Sequence, residues 1–316
     1  MRILFVTASR IGDAVLSTGL LAHLAEQYPQ ARFTVACGTP AAPLFAAAPF
    51  VEKVIPMVKR KRAGHWWDLW KQTCTTWWSL VVDLRGSALG YVVPTRRRAV
   101  LKSSWAPKHR LYHLSSVLGL EQAFTPVLWN TPEQTAQAEG LLPAGSPILA
   151  LGPTANWGGK QWPAERFAQV AQELTAENGG RIAVFGAESE QESVHPLLAA
   201  LPKDRVINLI GKVDLPTVYA CLKRASLYVG NDSGLMHMAA AAGIPTLGLF
   251  GPSSEIFYGP FGRHCASIRG PRSFEEICHA PDYDYRSQAC LMLDLNVETV
   301  VNAARELTTT TTFVAN

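Results

Sequence analysis

The sequence predicts an α/β protein made of two domains, each built on a mostly parallel sheet. At 316 residues, the chain is long enough to form two hydrophobic cores. Short apolar runs alternate with segments of helical periodicity, which is the pattern of parallel strands joined by crossover helices. The alternation stops over residues 130–147, a stretch with linker character, and then starts again. We therefore expect domains at 1–145 and 146–296 with a cleft between them, followed by a terminal segment at 297–316.

The first half is predicted to form several short strands with helices between them. Strands are expected at residues 3–6, 33–37, 54–55 and 80–83, and helices at 14–28 and 44–48. Trp66, Trp70, Cys74 and Trp77 recur at helical spacing and indicate a further helix. This spacing favours a position in the core for Trp66, Trp70 and Trp77.

The second half repeats the alternation around one central stretch, residues 229–252. Strands are expected at 148–151, 181–185, 206–208, 227–229 and 246–250, and helices at 163–177, 214–224 and 235–242, with Asp214 as an N-cap. In the central stretch, a polar turn at 230–234 follows a strand and precedes a helix. Free backbone N–H groups and the helix dipole favour an anion such as phosphate there. The five threonines at 308–312 are expected to form a frayed tail.

The composition indicates a globular protein. Hydrophobic residues make up 48% of the chain, and no apolar run reaches the roughly 20 residues that a membrane-spanning helix needs. The first residues indicate a strand and not a signal peptide. The six cysteines include no CxxC pair, which favours a reducing cytoplasm.

Positive charge is concentrated in residues 59–110. This segment has twelve Lys and Arg residues, two acids and six of the nine tryptophans, so its net charge is +10 while the rest of the chain is −6. A basic, tryptophan-rich segment indicates contact with a partner that is both anionic and amphipathic. The alternative is that the tryptophans are core and the charges a solvated face. Nucleic acid is a third reading, although no recognisable nucleic-acid module is present.

Asp13 is the candidate catalytic residue of the first half. It follows the first strand, at the carboxyl edge of the sheet, where open α/β folds bind ligands. An aspartate at that position is also a good helix N-cap, and position alone favours the cap.

Two strand-end loops of the second half indicate a phosphate-bearing ligand. In the loop 152–160, Thr154 and backbone N–H groups could hold phosphate oxygens, and Lys160 could supply a charge. The loop is not a P-loop, because Gln161 follows Gly159-Lys160. The second loop contributes Asp232, Ser233, Gly234 and, one helical turn later, His237. The alternatives are a solvated lysine, helix caps and a half-buried histidine.

The acids Glu188, Glu190 and Glu192 follow the second strand of this half. An acid there can bind ribose hydroxyls, but acids in the first turn of a helix are also favoured by the dipole. Metal binding is poorly supported, because neither His109 with His113 nor Cys278 with His279 has a second ligand pair at zinc spacing.

Taken together, these motifs resemble glycosyltransferase family 9, the ADP-heptose:lipopolysaccharide heptosyltransferases. The matching pieces, in order, are Met1-Arg-Ile-Leu4, Arg10-Ile-Gly-Asp13, Asp83-Leu-Arg-Gly86, Trp157-Gly-Gly-Lys-Gln-Trp-Pro163, Gly230-Asn-Asp-Ser-Gly234 with His237, Gly243-Ile-Pro245 and Leu249-Phe-Gly251. They cover nearly the whole chain, and their joint order is more specific than any one of them.

The resemblance implies a GT-B fold of two Rossmann-like domains. It implies inverting, metal-independent transfer of a heptose from ADP-heptose to the inner core of lipopolysaccharide. Residues 1–145 would bind the acceptor and 146–296 the donor, and a helix at roughly 297–307 would cross back to the first domain. Asp13 would be the general base and Lys160 would stabilise the leaving ADP. The other implied donor contacts are Thr154, Glu188 or Glu190 (with Glu190 preferred), Asp232, Ser233, Gly234 and His237.

The resemblance also implies the partners. The acceptor would be an anionic lipid-linked sugar, met by Arg10, Arg60, Arg62, Arg85 and Arg97. We expect a monomer with no cofactor and no metal, peripheral on the cytoplasmic face of the inner membrane, without nucleic acid. Two departures are present: Ala155-Asn156 follows Thr154 where a second hydroxyl is often found, and the basic, tryptophan-rich segment is richer than the family pattern. Another nucleotide sugar, or a non-catalytic binder of one, is the alternative.

Overall fold

The computed structural model describes residues 1–104, 106–176 and 179–314. Trp105 of the basic segment and the predicted helix end at 177–178 therefore lie outside the described residues. The chain divides into two compact units, Met1–Thr131 and Pro132–Asn316. The division falls before the helix Pro132–Leu141, which packs against the helix Leu215–Leu222 of the second unit.

The first unit contains one open parallel sheet. Its strands are β1 (Arg2–Val6), β2 (Arg32–Gly38), β3 (Val51–Met57), β4 (Trp78–Asp83) and β5 (Thr95–Val100), and its helices are α1 (Ile11–Gln27), α2 (Pro43–Ala46), α3 (Gly64–Thr73), α4 (Leu89–Val92) and α5 (Arg110–Ser115). The strand order is β3-β2-β1-β4-β5. Residues 3–6 of the central strand β1 are fully buried, because helices cover both faces of a parallel sheet of this kind.

The second unit contains a larger parallel sheet. Its strands are β6 (Ile148–Gly152), β7 (Arg181–Val184), β8 (Val206–Asn208), β9 (Leu227–Asn231), β10 (Thr246–Phe250) and β11 (Cys265–Arg269), in the order β11-β10-β9-β6-β7-β8. Its helices are α6 (Pro132–Leu141), α7 (Ala164–Ala176), α8 (Gln191–Ala200), α9 (Leu215–Leu222), α10 (Gly234–Ala241), α11 (Glu255–Tyr258), α12 (Phe274–Cys278) and α13 (Val297–Val314). Asp214 caps α9 as predicted, since its carboxylate accepts a hydrogen bond from the Thr217 N–H at 2.9 Å.

Strand β9 is longer than the sequence predicted. Gly230 was expected to end it, but the strand continues through Asn231, and Gly230 pairs in register with Gly152 of β6 and Gly248 of β10. Glycine is required there for packing, because a Cβ at Gly230 would lie 2.3 Å from the Tyr228 hydroxyl oxygen. The strands β5 and β11 were not predicted. The three arginines of β5 resemble a solvated run, and an exposed edge strand tolerates them.

The tryptophans of α3 and of the segment after it are divided between core and surface. Trp66 and Trp70 pack, partly buried, against the core of the first unit. The prediction of a core position is wrong for Trp77, which is 70% exposed. The helix α3 ends at Thr73, so Trp77 is not part of the helix whose periodicity suggested a core position.

Helix α13 packs against α7 and against β9, β10 and β11 of its own unit. Its backbone includes the threonines at 308–312, for which the sequence predicted a frayed tail. The prediction that this helix crosses back to the first domain stays a prediction. None of the helices formed by the described residues is long and apolar enough to cross a membrane.

Candidate functional site

Two loops at the carboxyl edge of the second sheet form a charged site. They follow β6 and β9, which are neighbours in the sheet, so the loops emerge side by side. The Lys160 Nζ donates to Asp232 Oδ2 at 2.5 Å, and this ion pair joins the two loops. Two of the predicted site residues, 72 positions apart, are thus brought into direct contact.

The loop 152–160 is held in place by the segment 287–291. Trp157 Nε1 donates to the Ser287 carbonyl at 2.6 Å, and the Gly158 N–H donates to Gln288 Oε1 at 2.9 Å. The Leu291 N–H donates to the Gly159 carbonyl at 3.1 Å. These three hydrogen bonds fix the backbone of the loop immediately before Lys160. They therefore restrict the positions that the Lys160 ammonium group can take.

Lys160 is not the solvated surface lysine of the alternative reading. Its side chain is 22% exposed, and that of Asp232 only 7%. The pair is neutral as a whole, so an anionic ligand that bound Lys160 would compete with Asp232 for the ammonium group. A hydrogen bond between the Lys160 ammonium group and an anionic ligand would be charge-assisted, and hydrogen bonds of this kind are shorter and stronger than those between neutral groups.

The start of α10 adds anion-binding character to the same edge. Ser233 is the N-cap residue by backbone geometry, but its side chain makes no capping bond. The Asp232 carboxylate is engaged with Lys160, so neither residue acts as the side-chain cap that the sequence allowed as an alternative. The first N–H groups of α10, from Gly234 onward, are therefore not capped by either side chain. His237 is buried one turn further along the helix.

Glu190 and Thr154 form a second polar pair of the site. The Thr154 hydroxyl donates to Glu190 Oε2 at 3.0 Å, and the Ala187 N–H donates to the same oxygen at 2.7 Å. Glu188, by contrast, is exposed in the single helical turn Glu188–Glu190, and Glu192 is exposed on α8. The structure thus connects Glu190, and neither of the other acids, to the loop after β6.

A pocket of about 240 Å³ opens beside Thr154. Its walls come from the loop after β6, from the start of α7, from α8 and from residues near 288–290. Trp162, Val194 and Leu197 supply apolar surface, and Gln161 and Ser193 polar groups. A ligand that touched Thr154 would have this pocket next to it.

Asn231 is a site residue that the sequence analysis missed. It is fully buried, its Nδ2 donates to the Pro153 carbonyl at 2.7 Å, and its Oδ1 accepts from the Trp162 N–H at 3.2 Å. It therefore connects the end of β9 to both sides of the Lys160 loop. The available signal was an asparagine at the end of a buried strand, since such an amide needs buried partners.

Asp13 lies at the carboxyl edge of the first sheet, in the first turn of α1. The reading of Asp13 as the N-cap is wrong, because the N-cap is Arg10 and it makes no side-chain capping bond. Asp13 is half-buried, and within the described residues it has no hydrogen-bond or ion-pair partner. Its carboxylate is available to a ligand.

Arg10 and Arg85 lie at this same edge. Arg85 Nη1 donates to Ser9 Oγ at 2.6 Å, and its guanidinium lies 5.9 Å from the centre of the Trp66 ring. The backbone around Arg85 is held by the fully buried Asp83, which accepts from the Arg85 N–H at 2.8 Å and the Ser87 N–H at 2.9 Å. Arg10 is exposed next to Ser9.

The other acceptor-side arginines are more dispersed. Arg60 and Arg62 follow β3, and Arg60 forms an exposed ion pair with Asp68 at 2.9 Å. Exposed pairs of this kind contribute little stability, so Arg60 can exchange Asp68 for another anion. Arg97 is not brought to the carboxyl edge, because it pairs with Leu80 inside the edge strand β5, three residues before Val100 pairs with Asp83.

No cluster of three or more potential metal-binding residues occurs within residues 1–104, 106–176 and 179–314. The candidate pair His109 and His113 has structural roles. His109 Nδ1 accepts from the Leu111 N–H at the start of α5, and His113 Nε2 lies 2.8 Å from the Lys102 carbonyl.

The fold defines a class of protein. A glycosyl transferase of family 9 from Veillonella parvula superposes with a TM-score of 0.82 at 22% identity, covering 98% of this chain and 97% of the other. The ADP-heptose lps heptosyltransferase II of E. coli superposes with a TM-score of 0.75 at 22% identity, covering 98% and 99%. Two open parallel sheets of this kind are those of the GT-B glycosyltransferases, and the predicted fold class is confirmed.

The sequence identifies the family. Residues 69–282, more than half of the chain, match the model of glycosyltransferase family 9 (heptosyltransferase). The lipopolysaccharide heptosyltransferase 2 of Salmonella typhimurium is 28% identical over 309 residues, covering 85% of this chain and 88% of the relative. The chain therefore belongs to glycosyltransferase family 9, and the resemblance seen in its motifs is confirmed.

Replacing Asn231 by alanine is expected to destabilise the protein. Asn231→Ala leaves the Pro153 carbonyl and the Trp162 N–H without their buried partner, and each such group costs about 1–3 kcal/mol. Urea denaturation measures the loss of unfolding free energy. The control is Gln172→Ala, whose exposed amide also donates to a backbone carbonyl, that of Ala200 at 3.0 Å. Equal midpoints for the two variants would contradict the role given to Asn231.

Proposed function

We propose that this protein is an inverting glycosyltransferase that moves a heptose from ADP-heptose to the inner core of lipopolysaccharide. Membership in glycosyltransferase family 9 and the similarity to the Salmonella lipopolysaccharide heptosyltransferase 2 support the reaction and the substrates. The observation that carries the proposal is the meeting of Lys160, Asp232 and the start of α10 at one sheet edge. That combination suits a diphosphate.

The donor is held by the second unit. Lys160 leaves Asp232 to contact the diphosphate, and the first N–H groups of α10 contact the same anion. Glu190 Oε2 already accepts hydrogen bonds from Thr154 and Ala187, so Oε1 is the atom that accepts a hydrogen bond from a ribose hydroxyl. Ser233, Gly234 and His237 complete the surroundings of the phosphates and the sugar. Charge neutralisation comes from Lys160 and the helix start, so the proposed reaction uses no metal.

Asp13 supplies the base from the first unit. Its carboxylate takes the proton of the acceptor hydroxyl while the acceptor oxygen bonds to C1 of the heptose. The bond from C1 to the diphosphate oxygen breaks on the opposite face, and ADP leaves with the bonding pair, so the configuration at C1 inverts. A half-buried carboxylate without a partner among the described residues supports this role.

The acceptor side is assigned to the basic residues of the first unit. Arg10 and Arg85 lie at the same strand ends as Asp13, and Arg60 and Arg62 follow β3. Guanidinium groups bind carboxylates and phosphates in a bidentate manner, which suits the anionic groups of a lipid-linked sugar. We assign Arg97, which lies in the middle of the edge strand β5, to the exposed edge of the sheet and not to contact with the reacting sugar.

Replacing Asp13 by asparagine tests the base. Asp13→Asn keeps the size of the side chain but cannot accept the proton, so turnover should fall by about 100-fold or more, whereas ADP affinity is retained. The assay combines heptose transfer with calorimetric titration of ADP. Glu26→Gln is the control, as an exposed acid at the other end of α1. Normal turnover of the Asp13 variant would remove the assignment.

Lys160→Ala tests the donor site. Removal of a charge-assisted contact to the diphosphate should weaken ADP binding by about 10- to 100-fold. Thermal shift with ADP-, GDP- and UDP-sugars measures the effect, because a ligand that binds the folded state raises the melting temperature. Lys203→Ala, an exposed lysine before β8, should behave as wild type. An unchanged shift for the Lys160 variant would exclude this role, and a preference for GDP- or UDP-sugars would exclude the ADP donor.

The exposed face of α3, together with the exposed Trp77 in the segment that follows it, is the surface that we assign to the membrane. The stacked rings of Trp67 and Trp70 lie 4.7 Å apart, Lys71 lies 5.5 Å from the Trp67 ring, and Trp67 is 56% exposed. Exposed tryptophan beside lysine suits the interface of an anionic bilayer. We place the enzyme as a monomer on the cytoplasmic face of the inner membrane, where its lipid-linked acceptor would be.

Trp67→Ala combined with Trp77→Ala should release the protein from membranes. Both rings are exposed, so the folded structure should tolerate their loss, while binding to vesicles containing anionic lipid should weaken by about tenfold or more. Cosedimentation with such vesicles measures the binding. Tyr285→Ala is the control, since Tyr285 is also exposed and lies beside Arg286. Vesicle binding unaffected by the double replacement would refute the surface.

A further inference from the structure

Tyr228 places a buried hydroxyl group at the strand ends of the proposed donor site. The residue is fully buried in β9, and its hydroxyl has no hydrogen-bond partner among the described residues. A Cβ at Gly152 would lie 1.9 Å from the hydroxyl oxygen, and a Cβ at Gly230 2.3 Å from it. The hydroxyl therefore lies over the register pair formed by the last residue of β6 and the penultimate residue of β9.

Ser233 lies next to this hydroxyl at the start of α10. Its Oγ is also buried and also lacks a hydrogen-bond partner among the described residues, although the residue itself is only half-buried. Burial raises the pKa of the Tyr228 phenol, the Ser233 side chain within hydrogen-bonding reach of it opposes the rise, and the negative charge of Asp232 adds to it. The phenol therefore stays protonated at physiological pH and can act as a hydrogen-bond donor.

Space filling does not account for the phenol oxygen. A phenylalanine would fill the same place between the glycines without burying a hydroxyl that lacks a partner, and such a hydroxyl lowers stability. The hydroxyls of Tyr228 and Ser233 lie within reach of each other at the start of α10, but neither makes a well-directed hydrogen bond to any group of the described residues. A buried polar group of this kind requires an explanation, and a ligand at the helix start provides one.

We propose that Tyr228 is a positioning residue that orients the Ser233 hydroxyl toward the diphosphate of the donor. The Tyr228 hydroxyl donates to Ser233 Oγ, and the Ser233 hydroxyl donates to a phosphate oxygen. No covalent bond of the tyrosine forms or breaks. As the bond from the sugar to the diphosphate breaks, negative charge grows on the leaving phosphate, and the chain of two donors stabilises it. This inference rests on the proposed diphosphate donor.

Tyr228→Phe removes only the oxygen and is the direct test. ADP affinity measured by calorimetry should fall about tenfold, and kcat for heptose transfer should fall with it, because the donor chain ends on a charged phosphate. The melting temperature without ligand should stay the same or rise. Ser233→Ala should weaken ADP binding at least as much, and the double variant no more than Ser233→Ala alone, since the tyrosine acts through the serine.

Tyr219→Phe is the matched control. This tyrosine is also buried in the second unit, but its hydroxyl donates to the Ala241 carbonyl at 3.4 Å. Its removal should leave ADP affinity unchanged.

The outcomes separate the inference from the proposed function. If the wild-type protein binds no ADP, the proposed donor and this inference both fail. If the wild type binds ADP and Tyr228→Phe binds it equally well, only the inference fails. A lower melting temperature with unchanged ADP affinity would assign the hydroxyl a structural role and would also overturn the inference.

Discussion

The parallel pairing of β6 with β9 is the constraint on which the proposed donor site depends. The register places Gly152 opposite Gly230, so the two following loops leave the sheet at the same level. Asn231 then ties the β9 end to the Lys160 loop through the Pro153 carbonyl and the Trp162 N–H. A slip of one residue would turn every side chain of β9 to the opposite face. The contact between Lys160 and Asp232 is thus a consequence of strand register.

The ion pair of Lys160 and Asp232 supplies the charged groups at this edge of the sheet. A mostly buried carboxylate needs a partner, and the lysine supplies one. In the proposed donor complex, the diphosphate replaces Asp232 at the ammonium group, and the helix start of α10 adds further donors. The site therefore keeps its lysine ordered and neutralised without placing an uncompensated positive charge in a partly buried position.

Much of this arrangement could be predicted from the sequence, since strand-end loops of a parallel α/β sheet meet at one edge. That rule correctly placed Lys160 and Asp232 at one edge of the second sheet and Asp13 at the carboxyl edge of the first. It could not show that Asp13 lies inside the first turn of α1, because capping depends on backbone angles at Arg10. The same rule missed the structural role of Asn231 and the proposed role of Tyr228, because their neighbours come from distant segments of the chain. The sequence also grouped Arg97 with the acceptor-side arginines, whereas the register of β5 places Arg97 in the middle of the strand and away from the carboxyl edge.

The central claim is that the edge formed by β6, β9 and α10 binds the diphosphate of the donor. Hydrogen–deuterium exchange with and without ADP tests it most directly, because amides that contact a bound ligand or become ordered around it exchange more slowly. We predict slower exchange in residues 152–160 and 230–237, and no change in residues 59–102. Unchanged exchange in both segments at saturating ADP, or protection confined to the basic segment of the first unit, would contradict the account.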